Sequence, residues 1–412
     1  MFKLFRNRNF SLLFSGQFVS QVGNSLFLIA LPWFVYSQTG SKADLAITGF
    51  AQSLPGIAGL FAGVLVDRWS KRGTMIGSDT IRLILALLLF FVSFFHGSFY
   101  YIVALVLLLQ FVGTFFNPAS SVMIPLIVEA DSLPSAMGLS QSSYATAMLI
   151  GQVGGGTLLT LLNAPLLFLF DGLTFAVSVL SLGFIRVKEP ARQQKGKSSL
   201  VKEWKSGMAL IVRSKMILLI TSAALLANFG FAAFDIILTA WVKGPLHANA
   251  FGLGLTGGAF AVGMILGGVL LGLVTRKVSL RLTLLGGLVL SGVLTIIVGL
   301  IPNLWWDAGL LALTGIANGI LNGALGTMAM TVIPEAMRGR VFGTLNGLST
   351  LATPLGMATF GGLMVYLPLN VLFFLMASIG ILSGLSFLLP VRDDLTNLRA
   401  DLGDSQSGSS LG

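Results

Sequence analysis

Twelve apolar stretches follow one another along this chain, at about 10–36, 45–66, 74–96, 99–127, 135–162, 164–187, 216–242, 250–275, 280–301, 305–330, 339–366 and 369–390. A helix needs roughly 20 residues to cross the hydrocarbon of a bilayer, and every stretch has that length. The charge content points the same way. Only 10% of the 412 residues are charged, against roughly 25% in soluble domains. With 55% of residues hydrophobic and a mean hydropathy of +0.90, no soluble core could bury the apolar surface, so lipid must solvate part of it. Period-two alternation is absent and the stretches are too long for barrel strands, which excludes a closed β-barrel. The expected fold is all-α and integral to the membrane, with twelve transmembrane helices.

An even number of spans puts both termini on one side. Of 25 Lys and Arg, Lys42 and Lys243 fall in loops on the opposite face and Arg82 falls inside span 3, leaving 22 on the terminal side. Positive charge marks the cytoplasmic side, so both termini are expected in the cytoplasm of a cell-membrane protein. The net charge of +10 is therefore topology and not a nucleic-acid footprint. Lys3, Arg6 and Arg8 precede an apolar run, as in a secretory signal, but that run carries Gln17, Gln21 and Asn24 and is too long for one; it reads as a retained first span. With no cysteine, disulfides, thiolate metal sites and Cys nucleophiles are excluded. His96 and His247 are far apart at loop edges and read as surface residues.

The longest polar stretch, 188–215, divides the spans six and six, giving halves at 1–187 and 216–390 and a polar tail at 391–412 expected to be disordered. Within the divider, Leu200, Trp204, Met208 and Ile211 recur at helical spacing. They suit a short helix on the cytoplasmic leaflet; a flexible linker is the other reading. The halves echo each other. At an offset of 208, Trp33 falls on Trp241, Gly49 on Gly257, Gly59 on Gly267 and Arg68 on Arg276. Two six-span halves related by an axis along the membrane normal are a transporter design with the site between them.

The turn between spans 2 and 3 reads Gly63-Val-Leu-Val-Asp67-Arg68-Trp-Ser-Lys71-Arg72. It resembles the signature of the major facilitator superfamily. Phe115-Phe-Asn-Pro-Ala119, Phe168-Leu-Phe-Asp171 and Pro334-Glu-Ala-Met-Arg338-Gly-Arg340-Val341 narrow the resemblance to the twelve-span drug:proton antiporter branch, which includes macrolide-efflux and enterobactin-export members. The resemblance covers the chain up to its tail. It implies a cytoplasmic gate of Gly63, Asp67, Arg68, Lys71 and Arg72, with Asp67 facing the start of span 11 at Arg338 and Arg340. Several positions depart from the pattern. Ser70 replaces the signature's second glycine, Gln110 an arginine in span 4, and Asn24 an acid that many relatives carry in span 1. Span 5 reads Gly151-Gln-Val-Gly where Gly-Pro is usual. These departures weigh against proton coupling through spans 1 and 4.

Charges inside a span cost about 2.5–3.5 kcal/mol each and need a reason. Asp79 and Arg82, three apart in span 3, can pair as a structural bridge near the cytoplasmic surface. Asp171 is a coupling acid by resemblance, or one half of an interhelical hydrogen bond. Asp235 shares a face of span 7 with Asn228 and Thr221 and is the leading coupling acid, with substrate counter-ion or interhelical bonding as alternatives. Polar stripes mark span 1 (Gln17, Gln21, Asn24), span 4 (Gln110, Thr114, Asn117, Ser121) and span 10 (Thr314, Asn318, Asn322). With Trp33, Phe116, Tyr144, Phe231 and Trp241 they suit a large amphipathic ligand in a central cavity; interhelical bonding is the plainer alternative.

Gly252-x-Gly254-x-x-Gly257 has dinucleotide spacing but opens a membrane span. It reads, like Gly59-x-x-x-Gly63, as a close-packing glycine face. No Walker sequence and no nucleophile–base constellation occurs, so neither ATP drive nor enzymatic activity is encoded, and no cofactor is implied. The expectation is a monomeric secondary exporter of lipophilic or amphipathic compounds, exchanging them for protons by alternating access. A dedicated exporter of a siderophore, peptide metabolite or lysolipid, uptake by symport, and a non-transporting sensor on the same fold are the alternatives.

Overall fold

The computed structural model describes residues 2–187, 200–333 and 338–389. They form twelve long helical spans and no strand. Span 1 is Arg8–Thr39, span 3 Lys71–Phe94, span 5 Leu133–Leu161 and span 6 Ala164–Phe184. Spans 8 to 12 are Ala250–Thr275, Leu280–Leu300, Leu304–Val332, Arg338–Tyr366 and Leu369–Leu385. Eleven spans are apolar enough over their length to be membrane-crossing by composition alone. Span 5 is the twelfth. Its length is sufficient, but Ser135, Ser140, Gln141, Ser142, Ser143 and Gln152 dilute its hydropathy.

Three spans are broken near their middles. Span 2 runs Lys42–Ser53 and Gly56–Arg68, span 4 Phe99–Gly113 and Phe116–Ile127, and span 7 Lys215–Phe231 and Phe234–Lys243. Pro55 explains the first break, having no N–H to continue the ladder. Pro118 explains the second, since its ring conflicts with the carbonyl of Thr114 four residues earlier. The break in span 7 has no proline behind it.

Tight loops are possible because serine and asparagine caps start the helices at once. Gly40, at φ +62°, ends span 1, and Ser41 accepts a hydrogen bond from the Asp44 N–H to begin span 2. Ser70 does the same for span 3 through the Gly73 N–H at 3.1 Å. The departure from glycine in the signature thus leaves a working helix cap.

Span 1 packs on spans 5 and 6, and span 3 on span 6; span 7 packs on spans 11 and 12, and span 9 on span 12. Between halves, span 5 packs on span 8 and span 2 on span 11. The side of the molecule where span 1 begins is the terminal side; the other is the far side. The halves are closed at the far side. A Cβ on Gly254 of span 8 would lie 2.7 Å from Cα of Gly156 of span 5, so the two backbones touch. Gly49 of span 2 would likewise meet the Met357 sulfur of span 11 at 2.8 Å. Lys243 donates to the Tyr36 carbonyl at 3.5 Å and lies over the rings of Trp33 and Tyr36 at 5.5 and 5.7 Å.

On the terminal side a Cβ at Gly63, Gly138 or Gly343 would meet nothing within 4 Å. One turn earlier span 2 still meets span 11, where a Cβ on Gly347 would lie 3.6 Å from the Leu60 side chain; Gly63 itself is half-buried, without a close helix partner on its Cβ side. The expected helix in the divider is present as Leu200–Arg213. Leu210 and Ile211 of its apolar face are buried with Ile217, Ala329, Ile333, Val341 and Leu345, while Trp204 stays 44% exposed. Residues 188–199, 334–337 and 390–412, including the expected disordered tail and Glu335, lie outside the described residues.

Candidate transport cavity

Two adjoining volumes that share Leu28 and Met148 have unlike linings. In the first half a volume of 650 Å³ is lined by Gln21, Asn24, Gln110, Phe116, Asn117 and Tyr144, all expected from the sequence. Gln52 and Gln141, which the stripes did not include, join them. Tyr144 is 50% exposed in this opening. Both broken spans of this half contribute their interruptions, Pro55–Gly56 and Thr114–Phe116, to the wall. It is rich in amides because carboxamides both donate and accept without a desolvated charge.

The second wall is apolar and aromatic. A volume of 240 Å³ between the halves is bounded by Phe231, Phe234, Leu238 and Phe260, with Leu28, Ile29 and Gln152 across from them. Asp235 is exposed into this space, in the first turn of the second segment of span 7. The positive end of a helix dipole favours a carboxylate there. Asn318 also lines it, held by donation to the Ser291 hydroxyl and the Thr314 carbonyl, each at 3.0 Å. Asn228 and Asn322 line an adjoining volume of 390 Å³ that shares Phe231 and Asn318.

Two aromatic residues expected in the cavity lie elsewhere. Trp33 stands at the closed far side, under Lys243. Trp241 is buried, and its indole N–H donates to Oδ2 of Asp307 at 2.9 Å. Asp307 is a further intramembrane acid that the sequence reading passed over; its place one turn into span 10 was the available signal.

The structure brings Asp79, Arg82 and Asp171 together. Arg82 Nη1 donates to Asp79 Oδ1 at 3.5 Å, and Nη2 donates to Asn24 Oδ1 at 2.5 Å. Its guanidinium carbon lies 4.0 Å above the Phe175 ring. The pair is not near the terminal surface: Arg82 stands at the middle of span 3. Asp171 is fully buried beside this group, within the field of both Arg82 and Asp79, and neither carboxyl oxygen has a hydrogen-bond partner. Arg82 and Asn24 reach the cavity; Asp171 does not line it.

Around the expected gate, Lys71 donates to the carbonyls of Val66, Asp67 and Trp69, and Arg72 to those of Leu182 and Gly183. Arg338 donates to Ile333 and Met330 carbonyls within its own half. Asp67 and Arg68 are solvent-exposed. The side chain of Arg340 is outside the described residues.

Comparison with known proteins agrees with this architecture. The family model for the Major Facilitator Superfamily matches residues 13–244 and 220–404. Macrolide efflux protein A of Streptococcus pyogenes is 26% identical, over 84% of this chain and 87% of that protein. The multidrug efflux pump Tap of Mycolicibacterium fortuitum is 24% identical over 83% and 85%. Among solved structures, nucleoside transporter NupG superposes with a TM-score of 0.74 at 14% identity, covering 92% of this chain and 98% of that one. A bacterial homologue of the iron transporter ferroportin, in its inward-facing state, gives 0.73 at 15% identity with coverage of 92% and 98%. Twelve spans in this packing, a cavity between the halves and a match along nearly the whole chain identify the protein as a multi-pass membrane transporter belonging to the Major Facilitator Superfamily.

Proposed function

We propose that the protein exports lipophilic or amphipathic compounds in exchange for protons, as a monomer in the cell membrane with both termini in the cytoplasm. The observation that carries this reading is the pairing of unlike linings around adjoining volumes that share Leu28 and Met148. Amides of spans 1, 4 and 5 face hydrogen-bonding groups of a ligand, while Phe231, Phe234 and Phe260 cover its apolar part. Asp235 is the one carboxylate among the described residues lining the cavity, so a protonated amine and a proton compete for it. The efflux functions of the relatives in Streptococcus and Mycolicibacterium point to the same substrate class. On this reading the terminal side is the cytoplasmic side, and Asp67 closes against span 11 when the halves rock inward.

The test is uptake of radiolabelled erythromycin into everted membrane vesicles, where export appears as accumulation. A proton gradient is expected to drive it, and Asp235→Asn to reduce the gradient-dependent part by about tenfold, within the range of ordinary site-to-site coupling. Accumulation that survives collapse of the proton gradient, or runs on a sodium gradient alone, would remove the antiport assignment.

A further inference from the structure

Asp171, Arg82 and Asp79 gather two fully buried acids and one permanent cation at the edge of the cavity, where only Arg82 of the three reaches the opening. Asp79 and Asp171 have no exposure and Arg82 is 6% exposed. If both acids were ionised, the group would carry an uncompensated negative charge, with both Asp171 oxygens unpartnered. A buried ion without partners costs several kcal/mol, whereas a neutral carboxyl costs far less. The arrangement is balanced when one proton resides on Asp171.

The neighbours of Asp171 leave that proton few places to go. Gly23 of span 1 lies against it so closely that a Cβ there would stand 2.8 Å from Oδ1. Thr174 uses its hydroxyl on the Asp171 backbone carbonyl at 2.7 Å. Span 6 packs chiefly on spans 1 and 3, and span 5 carries no charged residue. Asp79 and Arg82 are the charged groups at this level; Arg72 sits at the terminal end of span 6, on the Leu182 and Gly183 carbonyls.

We infer that Asp171, Arg82 and Asp79 form a one-proton store that a ligand discharges by taking Asn24 away from Arg82. The proposal rests on the exporter reading. Asn24 lines the cavity, and its Oδ1 accepts from one arm of the guanidinium. A ligand hydroxyl or ammonium that donates to this oxygen competes with Arg82 for it. Gly113 of span 4 leaves room beside Arg82, since even a Cβ there would stand 3.5 Å from Nε. Released from Asn24, the guanidinium pairs with Asp171. The Asp171 O–H bond breaks, its electron pair stays on the carboxylate, and the proton passes to a cavity water that enters where the guanidinium has moved aside, Arg82 being the member of the group that lines the cavity. Ligand binding and proton release on the same side are the two halves of an antiport step. The amide at position 24, where many relatives carry an acid, then acts as the trigger and Asp171 as the carrier.

Infrared spectroscopy of the full chain in lipid nanodiscs at neutral pH tests this without a transport assay. Wild type is expected to show a carboxylic-acid C=O band that Asp171→Asn removes and Asp171→Glu shifts. Asn24→Leu, which imitates capture of Asn24, is expected to lose the same band with no ligand present while the protein retains its wild-type melting temperature. Persistence of the band in a folded Asp171→Asn protein overturns the store, and its persistence in Asn24→Leu overturns the trigger. Should Asp171→Asn fail to fold, the Asp171→Glu shift decides the assignment. Failure of the exporter reading would show separately, as absence of erythromycin accumulation by wild-type vesicles whose protein still shows the band.

Discussion

Substituting Gly254 by alanine should hold the transporter away from the conformation described above. The added Cβ would stand 2.7 Å from Gly156 Cα, 2.9 Å from the Gln152 carbonyl oxygen and 3.1 Å from the Gly156 nitrogen. All three are backbone atoms, so no side chain can rotate aside. Carbon atoms rest at about 3.5–4.0 Å, and spans 5 and 8 must therefore separate by about 1 Å. Overpacking of this kind costs about 1–3 kcal/mol. The penalty applies only while the far side is closed, because the two spans belong to different halves. A central value of about 2 kcal/mol moves the balance between far-side-closed and far-side-open forms by roughly 30-fold. Since the chain has no cysteine, a single Gln141→Cys in the cavity wall reports the open terminal side through its labelling by a membrane-impermeant maleimide. Labelling should fall in Gly254→Ala and erythromycin transport with it. Gly268→Ala, in the same span but with nothing within 4 Å of its Cβ, should leave both unchanged. Equal labelling in the two variants would refute the claim that this backbone contact closes the far side.

Lys243→Gln should weaken the same closure by about 0.5–1 kcal/mol, the worth of a partly exposed cation over aromatic rings. Its labelling should fall two- to fivefold, and the effect should add to that of Gly254→Ala. Trp241→Phe leaves Asp307 buried without its indole donor, which should cost about 1–3 kcal/mol. A lower melting temperature in detergent, with transport per folded molecule unchanged, is the expected signature; unchanged melting would show that another group satisfies Asp307.

The spans and their order were legible because hydropathy over roughly 20 residues is a local property. The breaks were not foreseen: Pro118 accounts for the one in span 4 once the helix is seen, whereas the break in span 7 follows Phe231 with no residue that demands it. The amides of spans 1, 4 and 10 were readable as cavity walls from their spacing on one helix face. Arg82 and Asp171 were separate problems in the sequence, because only the packing of span 3 on span 6 makes them neighbours. Trp33 and Trp241 illustrate the opposite failure. The repeat pairs them in sequence, yet one stands at the far-side closure under Lys243 and the other holds Asp307.

If the halves rock as the proposed export cycle requires, the two linings belong to bodies that move relative to one another, which makes the site a caliper. A compound held only by the amides of spans 1, 4 and 5 travels with the first half and has equal affinity before and after rocking, so it shifts nothing. A compound long enough to touch both the amide wall and the aromatic wall loses one set of contacts when the halves turn. Molecular length, more than any single functional group, then separates compounds that are moved from those that merely bind.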